Sequence, residues 1–219
     1  MKAYHIKIEL VGSKPLIWRR VIIPADVTFK RLHDTIQFSM DWWDRHLYEF
    51  EFPQEKLRIT NDEDAYEEYK FYQKKYKGKV LTKRNDPNGM IARILETMIR
   101  QPQTIKIDKH LEKYKIITYV YDFGDNWQHK IELEQIIDDY EFGYPTVLEG
   151  EGACPPEDVG GVPGYEEFLR VWNDPKHPEY EEIRQWGESQ HHRDFDIAFR
   201  NNLLKTCLKI KKVKSTDVN

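Results

Sequence analysis

Tyr119-Val-Tyr-Asp-Phe-Gly-Asp-Asn-Trp-Gln-His-Lys-Ile-Glu-Leu-Glu134 decides the fold. Both ends of this stretch alternate apolar or aromatic residues with polar ones, and Asp122, Gly124, Asp125 and Asn126 in its middle are turn formers. The pattern predicts a β-hairpin with strands over 115–122 and 127–135. Any hairpin with an even number of loop residues pairs Asp122 with Trp127 and Val120 with His129. Asp122, Trp127, His129 and Ile131 then share one face of the sheet. Gly150-Glu-Gly-Ala-Cys-Pro-Pro-Glu-Asp-Val-Gly-Gly161 follows as a loop dense in Gly, Pro and carboxylates.

Working outward, Tyr4, Ile6, Ile8 and Leu10 alternate with His5, Lys7 and Glu9, which predicts a strand over 3–11. Gly12-Ser-Lys-Pro15 turns the chain into a second strand over 16–23, and Leu47-Tyr-Glu-Phe-Glu-Phe52 reads as a third. Between them Thr28 caps a helix whose Phe29, Leu32, Ile36 and Met40 fall on one face. Residues 60–112 read as a helical excursion between strands: a charged, tyrosine-rich helix from Asn61 or Asp62, breakers at 85–89, then a stripe from Met90 to Met98 that Pro102 closes. Three helices are expected after the loop at 138–163, over 164–173, 178–188 and 194–208. The expected fold is α+β: a single domain over 1–208, its mostly antiparallel sheet covered on one face by helices. A basic tail over 209–219 is expected to fray.

Composition narrows the function classes. The chain has 219 residues, 13% of them aromatic, which is inconsistent with disorder. Its formal charge of -4 disfavours a surface built to coat duplex DNA, while leaving room for a local basic patch. Two cysteines, Cys154 and Cys207, make no disulfide framework, and no long apolar run occurs, so a cytoplasmic protein with reduced thiols and no membrane partner is expected.

Several motifs occur in order: Lys14-Pro-Leu-Ile-Trp-Arg-Arg20; Trp42 with His46-Leu47 and Phe50; the hairpin; Cys154-Pro-Pro-Glu-Asp-Val-Gly-Gly161; Gly164-Tyr165; Asp174-Pro175; and His177-Pro178. In these the chain resembles the Ri-plasmid open-reading-frame-three-like family of plasmids, mobile elements and microbial chromosomes, over about 1–58 and 113–204. Where relatives commonly show Gly-Trp before the His-Leu pair, this chain has Asp41-Trp42. The resemblance implies an α+β roll-like fold and no particular activity. Some relatives carry a transposon-resolvase description, which does not fit here. No serine sits among arginines as a serine resolvase requires, and no His-x-x-Arg motif occurs as a tyrosine recombinase requires.

Chemistry-bearing residues concentrate in the hairpin and the loop. His129, on the predicted apolar face, is either a core histidine tied to Asp122 or half of an Asp–His pair serving a metal or general-base role. Asp122, Asp125, Glu157 and Asp158, with His46 and His129, are the candidate ligands of a divalent cation. The plainer reading has Asp122 and Asp125 capping the turn, and Glu157 and Asp158 paired with Arg19 and Arg20. Cys154 is either a small buried anchor of the Pro-Pro loop or a nucleophile activated by His46 or His129. Tyr69-Lys-Phe-Tyr-Gln-Lys-Lys-Tyr-Lys-Gly-Lys79 mixes lysines with aromatics, a combination that suits single-stranded nucleic acid as well as a solvated helix.

Three functions follow. The first is a non-enzymatic binding or adaptor module, with a groove beside the 154–161 loop that takes a peptide, protein or polar ligand. Its binding residues would come from Arg19, Arg20, His46, Asp122, Asp125, Trp127, His129, Cys154, Glu157 and Asp158. The second is a metal-assisted hydrolase using Asp122, Asp125, His129, Glu157 and Asp158. The third is a nucleic-acid accessory protein of mobile elements. Convergence of three or more of these hydrolase ligands within bonding reach of one point favours the enzyme, and outward-splayed carboxylates favour the binder.

Overall fold

The computed structural model describes residues 1–209; of the tail expected to fray, all but Lys209 lies outside the described residues. Eight strands form one sheet: β1 (Ala3–Leu10), β2 (Ile17–Pro24), β3 (Tyr48–Phe52), β4 (Leu57–Thr60), β5 (Met98–Arg100), β6 (Ile116–Tyr121), β7 (Trp127–Ile137) and β8 (Thr146–Glu151). Their order is β5-β4-β3-β6-β7-β1-β2-β8, with the hairpin β6–β7 near the centre. Every pairing is antiparallel except β4 with β5. The fold is α+β.

Period-2 patterning positions the core. Along β1, Tyr4, Ile6, Ile8 and Leu10 are fully buried, and across from them lie Ile131 and His129 of β7 and Val21 and Arg19 of β2. The opposite face carries Lys7–Glu9, Arg20–Glu134 and Lys130–Glu132 ion pairs, as a solvent face should. Helix α1 (Phe29–Met40) starts where Thr28 Oγ1 accepts from the Arg31 N–H, and it buries Phe29, Leu32, Ile36 and Met40. Six further helices follow: α2 (Glu63–Lys75), α3 (Met90–Glu96), α4 (Asp108–Tyr114), α5 (Gly161–Trp172), α6 (Tyr180–Ser189) and α7 (Ile197–Cys207). None is long and apolar enough to cross a membrane.

The structure corrects three expectations. First, the hairpin loop is odd: Tyr121 pairs with Trp127 and Tyr119 with His129, leaving residues 122–126 in the turn. Asp122 and Asn126 both adopt positive φ of 55°, and the Asp122 carboxylate accepts from the Gly124 and Asp125 N–H groups. These local bonds lift Asp122 out of the ladder, so it does not share a sheet face with Trp127 and His129. Second, the 60–112 stretch is not wholly helical. Met98–Arg100 extends the sheet as β5, and fully buried Ile107 donates its N–H to the Val27 carbonyl. Third, the 138–163 stretch contains β8, an edge strand with Gly150 where alternation would call for a side chain. A Cβ there would sit 2.7 Å from Arg19 Cδ, so only glycine lets the edge close over Arg19.

Candidate functional site

Two loops meet at one end of the sheet. The hairpin tip and the 154–161 loop touch so closely that a Cβ on Gly161 would lie 2.5 Å from the Asp125 carbonyl oxygen. Asp125 Oδ2 also accepts from the Gly160 N–H at 3.1 Å. Trp42, just past the end of α1, bolts the pair down: its indole N–H donates to the Pro155 carbonyl at 3.1 Å. Its ring lies against Tyr121, Trp127 and His129, with centroids 5.0–6.0 Å apart. Cys154 is buried beneath this loop, and burial pushes its thiol up, so it is not a ready nucleophile. Its carbonyl instead accepts from His192 Nδ1 at 3.0 Å.

A polar centre sits on this frame. Glu157, nearly buried, accepts at Oε1 from the Trp43 N–H at 2.8 Å and from the Tyr121 hydroxyl at 3.0 Å. Burial, reinforced by Glu157, raises the Tyr121 phenol, which therefore stays a donor. His46 lies between carboxylates: Nδ1 is 3.6 Å from Asp122 Oδ2, and Nε2 is 3.1 Å from Glu157 Oε2 and 3.3 Å from Asp158 Oδ1. These Nε2 distances suit hydrogen bonds, yet the alignment does not, and the buried Nε2 makes none. We take the contact as electrostatic proximity. His46, Asp122 and Asp158 each place one donor atom within 4.8 Å of the other two. Of the five residues expected for a hydrolase only Asp122 and Asp158 belong to this group, with His46 as its third member, while Asp125 is turned to the loop backbone.

The remaining predicted residues stand elsewhere. His129 is fully buried; its Nδ1 donates to the Trp127 carbonyl at 3.0 Å and its Nε2 has no partner among the described residues, so the Asp122–His129 bond does not form. Burial pushes this imidazole down to about 3, which keeps it neutral and out of acid–base work near neutrality. Trp127 is core. The arginines do not neutralise Glu157 or Asp158. Arg19 is buried and donates to the carbonyls of Trp18, Ser39, Glu151 and Gly152 at 2.7–3.0 Å, while stacking on Phe195 at 3.9 Å. Arg20, on the other face, pairs with Glu134 and Glu149.

Sequence reasoning missed His33 and a groove. His33 is buried and stacked on Tyr48 at 3.6 Å, with its two nitrogens on the Tyr119 hydroxyl at 2.8 Å and Asp44 at 2.7 Å. Its signal was present, because His33 follows Phe29 by four and belongs to the inward stripe of α1. Beside it, a groove of about 410 Å3 runs between α1 and the start of α7, with Phe38, Trp43, Phe199 and Leu203 as its apolar lining. It adjoins the 154–161 loop through Asp41, Trp43 and Arg193, which also border the small cleft at Cys154 and Glu157. Trp42 is shared between them: it lines the groove and also holds the loop through the Pro155 carbonyl.

Arg19 beneath β8, Trp42 on the Pro155 carbonyl and Glu157 on the Tyr121 hydroxyl join the very motifs whose order suggested a family. A sequence model of the plasmid pRiA4b ORF-3-like proteins matches residues 2–202. The chain belongs to the plasmid pRiA4b ORF-3-like family. Among its relatives is "Uncharacterized protein y4hQ" of Sinorhizobium fredii (strain NBRC 101917 / NGR234), 30% identical over 197 residues, covering 90% of this chain and 85% of the relative. A solved structure, "Protein of Unknown Function MM3350" from Methanosarcina mazei Go1, is 33% identical with a TM-score of 0.64, over 90% of this chain and 92% of the other. The match of the pRiA4b ORF-3-like family extends across residues 60–112, so that stretch lies within the family's span.

Proposed function

We propose that the protein is a binding module whose groove between α1 and α7 receives a peptide segment bearing one large apolar side chain between opposite charges. The observation that carries this reading is the groove itself, about 410 Å3, apolar along its floor and charged at both ends. At one end Asp41 faces two guanidinium groups, Arg193 at 2.8 Å and Arg200 at 2.5 Å, which leaves one positive charge in excess. At the other, Asp34 and Asp44 share Lys30, and burial lowers His33 so that it stays neutral, which leaves one negative charge in excess. A small apolar surface with ends of opposite sign selects for an oriented, charged segment. Exposed Trp43, stacked against His191 at 5.5 Å, is a pre-placed aromatic contact. Selection from a displayed random-peptide library should enrich an aromatic or aliphatic residue flanked by an acid and a base. Leu203→Arg should abolish capture while leaving thermal unfolding unchanged. No enrichment, or enriched peptides that ignore both Leu203→Arg and Trp43→Ala, would overturn the assignment.

A second reading rests on His46. Its buried, unbonded Nε2 lies beside Glu157 and Asp158, with Asp122 Oδ2 3.6 Å from the other nitrogen, an imidazole among carboxylates that a cation would neutralise. A metal-assisted hydrolase would then use His46, Asp122, Glu157 and Asp158, and not His129. Elemental analysis of protein purified without chelator decides it. A stoichiometric transition metal lost in His46→Ala supports this reading, and a metal-free protein that also fails to bind added Zn2+ or Mn2+ removes it.

A further inference from the structure

The 69–84 stretch holds six lysines and one arginine and no acidic residue, in a chain whose formal charge is -4. Among the described residues none of these cations lies within ion-pair distance of a carboxylate. Elsewhere Lys2, Lys7, Lys30, Lys56, Lys106, Lys113 and Lys130 have carboxylate partners, and the lysines without one among the described residues, such as Lys14, Lys109 and Lys176, are dispersed along the chain. The lysines of the 69–84 stretch are also arranged. Lys70, Lys74 and Lys77 follow each other at spacings of four and three, which aligns them along one face of α2 and its continuation, with about 6 Å of rise between the first two. They border a shallow open depression with Phe71 and Gln73.

Aromatic rings lie among these charges. Phe71 is 57% exposed, and Lys75 Nζ sits 5.2 Å from its centroid. Tyr76 is flanked by Lys75 and Lys79 at 5.6 and 5.9 Å. An exposed Phe on a lysine-lined face provides a surface for a flat partner, and the lysines provide sites for its phosphates. We propose that this face of α2 binds single-stranded nucleic acid without base specificity, phosphates along Lys70, Lys74 and Lys77 and a base stacked on Phe71. Duplex DNA fits worse because its bases are stacked internally and present no face to Phe71. A membrane surface fits worse because the one buried residue of α2, Tyr69, is already packed into the protein, so no apolar face remains to enter a bilayer. An acidic polypeptide would meet the lysines but has no use for the ring.

This surface is separate from the groove, so each assignment stands or falls alone. The probe is a labelled single-stranded DNA of about 20 nucleotides, titrated at several salt concentrations against duplex DNA, polyglutamate and phosphatidylserine vesicles. Single-strand binding should be at least tenfold tighter than binding to the other three, with log K falling on log salt by about 0.7 per phosphate engaged, a slope of about -2 for three lysines. Lys74→Glu with Lys77→Glu should reduce that slope by about 1.4. Phe71→Ala should weaken binding roughly tenfold with the slope unchanged, since stacking is not a counterion effect. Glu67, which borders the same depression, gives a control that misfolding cannot mimic: Glu67→Lys should tighten binding several-fold. Equal affinity for duplex, polyglutamate or vesicles, or indifference to Phe71→Ala, overturns the assignment.

Discussion

The loops around Glu157 and the surface of α2 are both crowded with charge, and they use it in opposite ways. Around Glu157 most groups answer one another: Asp41 meets Arg193 and Arg200, Glu157 accepts from the Trp43 N–H and the Tyr121 hydroxyl, and Arg19 satisfies four carbonyls. On α2 no lysine meets a carboxylate among the described residues, and Tyr69 alone is buried. Buried polar groups without partners are costly, so a buried region must resolve its charges internally, and its charged residues become structural ties. An exposed region has no such requirement, so unmatched charge persists there and remains free for a partner.

The largest expected effect comes from setting Arg19 against Lys74. Arg19→Ala strands the carbonyls of Ser39, Glu151 and Gly152 beneath the β8 edge and opens a cavity against Phe195, for a loss of roughly 3–5 kcal/mol. Lys74→Ala, on the exposed face, should stay within about 0.5 kcal/mol of the parent. Urea unfolding of the two variants checks the comparison. Equal effects would mean that burial does not set the role of charge here.

The same contrast explains what the sequence revealed. Ile17, Arg19, Val21 and Ile23 alternate inward, so the position of Arg19 in the core was readable from β2, and Trp18 and Arg20 had to face out. The strands over 3–11, 16–23 and 47–52 and the helix from Phe29 carry their own period and were legible for that reason. The hairpin register was not. It depends on Asp122 and Asn126 accepting positive φ, which composition permits but does not dictate, and one residue of difference moved Asp122 off the sheet and brought in His46. Strands β4 and β5, with four and three residues, are too short to show alternation, and β5 gains its place only by pairing with β4. The groove was illegible because Phe38 and Phe199 are far apart in the chain and meet only through the packing of α7 on α1.

Acid sharpens the comparison next, because the buried histidines, His129 on β7 against Trp42 and His33 on α1, belong to the packed part of the molecule and none lies on α2. His129 has a folded value of about 3 against an ordinary 6.5. Between these limits the unfolded chain binds a proton that the folded chain refuses, so stability is full above pH 6.5 and declines as the pH falls. At pH 4.5 the decline from this one group is on the order of 2–3 kcal/mol. His33, also lowered by burial, adds in the same direction. Chemical unfolding at pH 7 and 4.5 should show His129→Leu losing less stability between the two than the parent, whatever its stability at pH 7. An identical decline in parent and variant would exclude His129 as a source of acid sensitivity.

Only a modest effect is expected from the largest change, removal of residues 65–85 and their replacement by a short Gly/Ser linker. The deletion takes away most of α2 and the turns after it, but its only buried residue within α2 is Tyr69, whose loss accounts for about 2 kcal/mol. It spares Asp86, whose carboxylate accepts from the Ile91 and Ala92 N–H groups and so starts α3. It also spares Met98–Arg100 on β4 and Ile107 on Val27, the contacts that tie the later part of the excursion into the sheet and core. The shortened protein should therefore unfold in a single transition and retain peptide capture in the groove, while losing single-strand binding altogether. Loss of cooperative unfolding would place α2 among the structural ties and end the contrast drawn between the two regions. Retained single-strand binding would move that activity to another surface.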